Sequence, residues 1–245
     1  MFEGDLFVPR YAPIESGAWK LDVVPMSVMP GYWSGARPVA NMAVLHRDGQ
    51  SWMSTTPFEL ESQEIGVRSA AGHVVIFGLG MGWAACACAA LPAVTAVTVV
   101  EKDPDVLALH ERLDLFAQLA PAARAKLTVV AGDAYAYRPV DLLMPDIWLP
   151  LVNDGRVEEV RRMQANVAAA AIYFWGQEME LARHLAAAGL EPDDAAIAAT
   201  IAGFGLPLLG PSYPGYAEKT AAAARRWMRG RWLDGQAPPW ATGGA

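Results

Sequence analysis

The sequence predicts an α/β fold: a doubly wound, Rossmann-like sheet with a small N-terminal β element ahead of it and a C-terminal helical extension behind it. Three observations predict it. The stretch from Val74 to Val100 carries no charged side chain, yet it is broken by Gly78, Gly80, Gly82 and Pro92. Its ends, HVVIFGLG and AVTAVTVVEKD, are rich in β-branched residues that favour strands, whereas its middle, WAACACAAL, favours helix. A further apolar strand pattern, AKLTVVAGDA, follows after the helical stretch DPDVLALHERLDLFAQLAP.

An uncharged run of this length is also long enough for a membrane span, which needs about twenty apolar residues. The glycines and the proline argue against one continuous helix. Read in order, the run is strand, glycine turn, helix, proline break and strand, which is a βαβ unit. Parallel strands covered on both faces are apolar throughout, so no membrane is needed to account for the missing charge.

The whole chain fits one main body. It has 245 residues, 53% hydrophobic and 18% charged, too apolar for disorder. Its organisation is read as an arm with a small β and helix element over residues 1–70, a core over 71–190, and an extension over 191–245. With 19 basic against 26 acidic residues the formal charge is −7, which repels a polyphosphate, so no nucleic-acid partner is expected. The basic group Arg225, Arg226, Arg229 and Arg231 reads as the wet face of a terminal helix. Cys86 and Cys88 lack companions for a zinc site and read as small buried residues in a reducing compartment. Early acids and prolines stand where a secretory signal would need a basic start and an apolar run, which points to the cytoplasm.

The glycine turn carries the chemistry. A strand that reverses into a helix while a ligand approaches its backbone needs positions without Cβ, and the helix start offers unpaired N–H groups. Glu101, with Lys102 beside it, ends the next strand, where a carboxylate can accept both hydroxyls of a ribose. Such glycines also occur merely to let helix and sheet pack. A dinucleotide fingerprint is G-x-G-x-x-G, but here the third glycine comes one place early, at Gly82, and Trp83 fills the expected slot.

The G-x-G-x-G form of Gly78, Gly80 and Gly82 resembles the first motif of class I S-adenosylmethionine-dependent methyltransferases. After the third strand, Gly132-Asp133-Ala134 stands where that resemblance implies an acidic contact to the adenine amino group, with Ala134 beside it; the other reading of Asp133 is a helix N-cap. The segment from Asp141 to Asp146-Ile147-Trp148 resembles the D-x-x-x-x-D-I-W stretch of bacterial proteins related to spermidine synthases. The later IYFWGQEMELARHL is similar to the aromatic and acidic helix that follows it there.

The resemblance implies S-adenosylmethionine as cofactor and methyl transfer to a small-molecule substrate, with Asp146 as base or amine anchor. An aminopropyltransferase is the alternative, against which stands the segment IWLPLVND in place of an acidic cluster; Asp154 and Glu158 lie further on. A non-catalytic cofactor-binding protein is the other alternative. No metal is expected. The histidines His46, His73, His110 and His184 all fall on elements read as structural.

The flanks are less regular. MAVLH and SWMST around RDGQ read as a hairpin, and PFELESQEIGVRSA as a helix leading to the sheet. The resemblance makes Gln50, Ser54 and Glu64 candidates for the cofactor's methionine end, with ordinary surface roles as the competing reading. The first forty residues, with several prolines and no clear period, read as an arm that is either a lid or a subunit contact in a homodimer. Beyond Leu190, Gly and Pro punctuate the chain before a final helix over about 217–232. There Phe204, Tyr213 and Tyr216 either line a pocket or pack, and GQAPPWATGGA reads as a flexible tail.

Overall fold

The computed structural model describes residues 5–134 and 140–242. A four-stranded antiparallel sheet comes first: β1 (Ile14–Ser16), β2 (Trp19–Met29), β3 (Arg37–Arg47) and β4 (Gln50–Ser54). The helix α1 (Pro57–Arg68) leads into β5 (Gly72–Phe77), α2 (Trp83–Ala90), β6 (Val94–Glu101), α3 (Pro104–Leu113), a 3-10 turn, α4 (Pro121–Arg124) and β7 (Leu127–Ala131). Then come β8 (Leu142–Pro145), α5 (Arg156–Val167), β9 (Ala171–Ile172), α6 (Gln177–Ala187), α7 (Asp194–Phe204), α8 (Tyr216–Trp227) and α9 (Pro239–Thr242).

The second sheet runs in the order β7-β6-β5-β8-β9 with every pairing parallel. This is the doubly wound order: the chain builds outward from β5 through β6 to β7, then returns to place β8 on the other side of β5. Register brings the strand ends level. Phe77 lies opposite both Val100 and Pro145, and Glu101 opposite Ala131. The residues that follow these four strands therefore meet along one edge, and the switch point lies between β5 and β8.

The opening run is explained by burial on both faces. Val74, Val75, Ile76 and Phe77 are all buried, as are Val97, Thr98, Val99 and Val100. In α2 the residues from Trp83 to Ala89 are all buried, and its small side chains let it sit low against β6. Cys86 and Cys88 are free and buried in that helix, and burial pushes both thiols up to about 12, as inert packing residues require. Among the described residues no helix is long and apolar enough to cross a membrane.

The N-terminal forty residues correct the reading of an irregular arm. Only residues 5–13 run as an arm; β2 pairs with β3 along its length, from Trp19↔Arg47 to Met29↔Arg37. The far half of this ribbon extends past the flanking strands β1 and β4, so its side chains do not alternate between core and water and leave no period-2 signal. Met26 and Val28 are more than half exposed there. The Asp-Gly turn is as expected: Asp48 and Gly49 both have positive φ, 50° and 79°, the signature of a tight hairpin turn.

The C-terminal part is likewise more ordered than its composition suggests. The helix α8 packs on α6, and Tyr32, Leu151, Trp175, Met179, Ala223, Ala224, Met228 and Trp232 form a second core. Two expectations are corrected here. The final long helix stops at Trp227, and residues 239–242 are not a free tail. Trp240 stands edge-on to Trp232 at 5.6 Å and donates its indole N–H to the Leu190 carbonyl at 3.1 Å.

At the switch point the Asp146 carbonyl occupies the space that a Cβ on Gly78 would need, and Gly78 has φ +94°. Gly78→Ala should therefore destabilise the fold by about 1–3 kcal/mol through backbone strain alone. Denaturant unfolding measures this; a variant as stable as the parent would show that the two strand ends are not packed as described.

Candidate functional site

A cleft opens along the carboxyl edge of the parallel sheet. Its lining includes Gly78, Gly80, Glu101, Lys102, Asp133, Ala134 and Asp146, drawn from the ends of four strands. Of the glycine-turn and strand-end residues expected from sequence, Gly82 alone stands back, at the start of α2, where it borders a smaller adjoining recess. No histidine lines the cleft.

The glycine turn is held from three sides. The first hold is Glu101, which accepts the Leu79 N–H on Oε2 and the Asp103 N–H on Oε1, both at 2.8 Å. Each carboxylate oxygen keeps acceptor capacity for a further donor. The second hold is His110 on α3, whose Nε2–H donates to the Gly80 carbonyl at 2.8 Å, and whose ring fills the place of a side chain at Gly82. The third is the N-terminal arm. Trp83 donates its indole N–H to the Phe7 carbonyl at 3.1 Å, and the Tyr11 hydroxyl donates to the Met81 carbonyl at 3.1 Å. Trp83, the residue in the slot of a dinucleotide glycine, is thus one of the points where the arm attaches.

The antiparallel sheet supplies one wall. Trp19, Arg47, Trp52 and Met53 face the cleft. Trp19 donates to Asp103 Oδ2 at 3.0 Å, and the Arg47 guanidinium lies 5.3 Å from the Trp19 ring centre and 5.8 Å from that of Trp52. Met53 places its thioether against the missing side chain of Gly80, where the Met81 N–H meets the sulfur at 3.1 Å.

The opposite end of the cleft is acidic and aromatic. Asp146 follows β8, its backbone N–H bonded to the Phe77 carbonyl at 2.8 Å and its Oδ2 accepting from Gln63 Nε2 at 2.6 Å. It keeps partial solvent access into the cleft, yet desolvation by the surrounding protein pushes its pKa to about 6, with Gln63 and Arg156 opposing the rise. Glu59 of α1 lines the same end, 8% exposed, and its carboxyl is raised well above the ordinary range by burial and by the Asp146 charge. Ile147, Trp148 and Trp175 complete the wall.

Arg156, fully buried at the start of α5, braces this wall. It donates to Asn153 Oδ1, the Trp175 carbonyl and the Pro150 carbonyl at 2.7, 2.9 and 2.8 Å, and its guanidinium carbon lies 4.0 Å from the Trp148 ring centre. Trp148 also donates its indole N–H to Glu159 Oε2 at 2.6 Å, and Trp175 donates to Ser62 Oγ at 3.0 Å.

The structure separates the remaining candidates. Gln50 lies in a shallow surface recess beside Arg47 and Trp52, and Glu64 is bound to Arg68 at 2.6 Å, so neither lines the cleft. Ser54 borders the small recess and donates to Thr56 Oγ1 at 2.9 Å. Asp154 pairs with Arg183 and Glu158 with Arg161 outside the cleft. Phe204 and Tyr216 are buried in packing, and Tyr213 does not reach the cleft. Sequence reasoning missed Glu59, Gln63 and the indoles of Trp19, Trp52, Trp148 and Trp175. Glu59 and Gln63 stand four apart on α1 after the cap Thr56-Pro57, a spacing that puts both on one helix face and was available as a signal.

No profile of a known protein family matches the chain, and no curated protein matches it. Among solved structures, the glycopeptide N-methyltransferase MtfA complexed with S-adenosyl-L-methionine is similar over 44% of this chain and 48% of its own, at 19% identity and a TM-score of 0.34. Spermidine synthase from Thermotoga maritima is similar over 63% of this chain and 53% of its own, at 14% identity and a TM-score of 0.42. The methyltransferase domain of bacterial CtHen1-C covers 43% of this chain and 56% of its own, at 18% identity and a TM-score of 0.31. The matched part spans about half the length of each of these structures. The functional reading therefore rests on the cleft.

The His110 ring gives a direct check on the support of the glycine turn. Burial of the ring lowers its pKa from 6.5 to about 4, opposed by the bond to Gly80. The unfolded chain takes up this proton first, so the residue withdraws stability as pH falls from about 6.5 to about 4. An NMR titration of the His110 ring should show its midpoint near 4; a midpoint near 6.5 would place the ring in water and remove it from behind the turn.

Proposed function

We propose that the chain is an S-adenosylmethionine-dependent methyltransferase that acts on a small-molecule acceptor. The observation that carries this reading is the meeting, in one cleft beside the switch point, of the glycine turn, the Glu101 carboxylate, Asp133-Ala134 and Asp146. The backbone at Gly78 and Gly80 forms the cradle, with Gly82 behind it letting the turn enter α2, Glu101 receives the ribose hydroxyls with Lys102 at the rim, and Asp133 with Ala134 receives the adenine. The acceptor capacity left on both Glu101 oxygens fits such a ligand.

The bound cofactor supplies an electrophilic methyl group on sulfur. The residues of this chain do the rest: the indoles keep water from the acceptor end, the strand ends align the reactants, and Asp146 takes the proton that the acceptor must lose. The acidic balance makes nucleic acid a poor acceptor. A cytoplasmic location and a homodimer belong to the same reading, the latter supported by the exposed Met26 and Val28 on the β2–β3 ribbon.

A second reading has one observation in its favour. Among the described residues, the cations lining the cleft are Arg47, at the end of β3, and Lys102, beside Glu101, and none lines the end holding Glu59 and Asp146. A decarboxylated cofactor, which brings no carboxylate to that end, suits this arrangement and would make the enzyme an aminopropyltransferase. Calorimetry with S-adenosylhomocysteine, S-adenosylmethionine and its decarboxylated form separates the two by which binds. In the same experiment Glu101→Gln should weaken binding by about 1.5–3 kcal/mol through loss of charge-assisted hydrogen bonds. Unchanged affinity would remove Glu101 from the ribose.

A further inference from the structure

We infer that the acceptor is an uncharged aromatic molecule that stacks on the outer face of Trp148 and turns a hydroxyl toward Asp146. The inference rests on reading the cleft as a methyl-transfer site. It goes further by taking the chemistry of the acceptor from the acidic and aromatic end.

Shape comes first. Ile147, Trp148 and Trp175 give this end apolar, largely aromatic walls. Trp148 is fixed in orientation by Arg156 behind it and by Glu159 at its indole N–H. Arg156 is 1% exposed while Trp148 is half-buried, so the guanidinium occupies the inner face and the outer face is left for the cleft. A cation on one face of an indole draws its π density inward. The other face then attracts a second cation less and an electron-rich ring more.

Charge agrees with shape. The groups that face Asp146 are Glu59 and Gln63 from α1 and Arg156 from α5, with Glu101, Lys102, Asp103 and Asp133 along the same cleft. Burial and the Asp146 charge raise the Glu59 carboxyl well above its ordinary range, which favours its neutral form. Among the described residues, Glu59 and Asp146 oppose each other's ionisation, while the buried Arg156 is shared with Glu180 and Glu159, so this end offers a ligand one carboxylate. A diamine carrying two charges would need two ionised carboxylates there, whereas a neutral hydroxyl needs one acceptor. Asp146, at about 6, is ionised at neutral pH and basic enough to serve as a general base. In the step, the hydroxyl oxygen gains the methyl carbon, and the methyl–sulfur bond breaks with its electron pair left on sulfur. The hydroxyl proton passes to the Asp146 carboxylate and from there to water.

The test is calorimetry of the full chain, first with S-adenosylhomocysteine and then, in that complex, with 2-naphthol or 1,4-diaminobutane. The expected result is that 2-naphthol binds more tightly than the diamine. Trp148→Leu should weaken 2-naphthol by about tenfold, as loss of a buried aromatic anchor does, while Trp148→Phe keeps it within about threefold. Both variants should bind S-adenosylhomocysteine as the parent does. Methyl transfer to 2-naphthol should rise as pH passes about 6, where Asp146 loses its proton, and Asp146→Asn should abolish that rise while still binding the naphthol.

Tighter binding of the diamine, or full 2-naphthol affinity in a folded Trp148→Leu variant, would overturn the inference. If Trp148→Leu does not fold, the naphthol against diamine comparison on the parent decides. If S-adenosylhomocysteine binds and 2-naphthol does not, the acceptor inference falls alone. If S-adenosylhomocysteine fails to bind, the cofactor reading falls and takes the inference with it.

Discussion

The Glu101 carboxylate ties together the two loops on which the cleft is built. One oxygen holds the Leu79 N–H of the glycine turn and the other the Asp103 N–H that follows β6. From Asp103 the connection continues in two directions. Its side chain caps α3 through the Asp105 N–H and receives the indole N–H of Trp19, which anchors the antiparallel sheet over the cleft. From Leu79 the turn leads to Gly80, held by His110 of that same α3. A single carboxylate at a strand end thus fixes the turn, the helix behind it and the sheet above it, and it can do so only because β5 and β6 end level.

The sheet was legible in the sequence because its strands are buried on both faces. Uninterrupted apolar runs at 74–77 and 97–100, each stopped by a glycine or an acid, admit few other placements. The strand-end residues were legible for the same reason: once the strands are placed, Gly78, Glu101, Asp133 and Asp146 must fall at one edge. The cleft's other walls come from elements whose patterns are weak. Trp19 and Trp52 lie on a ribbon that is wet along half its length, and Trp148 and Trp175 lie in segments with no period, held by Arg156 through contacts that sequence spacing does not show. The order of residues 239–242 was hidden by composition, since Pro-Pro-Trp reads as a tail until Leu190 and Trp232 are seen beside it.

The cleft is also electrically graded. The side where β6 ends holds Glu101 and Asp103 together with Arg47 and Lys102, groups of both signs near solvent, where water moderates them. The far end holds Glu59 and Asp146, whose carboxyls burial raises above their ordinary range. The gradient arises from packing. Glu59 and Gln63 sit on the first turns of α1, a helix buried over nearly its whole length.

The second core closes a very long loop. Trp227 donates its indole N–H to the Tyr32 carbonyl, across 195 residues of chain, and Phe58 of α1 lies between their rings at 5.4 Å from Tyr32 and 4.5 Å from Trp227. Trp175, a wall of the cleft, belongs to the same cluster. Contacts of such sequence separation form late, because loop closure must come before the packing that rewards it. The parallel sheet can collapse around β5 and β6 well before this clasp shuts. In a refolding experiment, the edge carrying Gly78 and Glu101 would therefore be assembled in an earlier phase than the Trp175 wall, and a chain halted between the two would hold the strand-end half of the cleft without that wall.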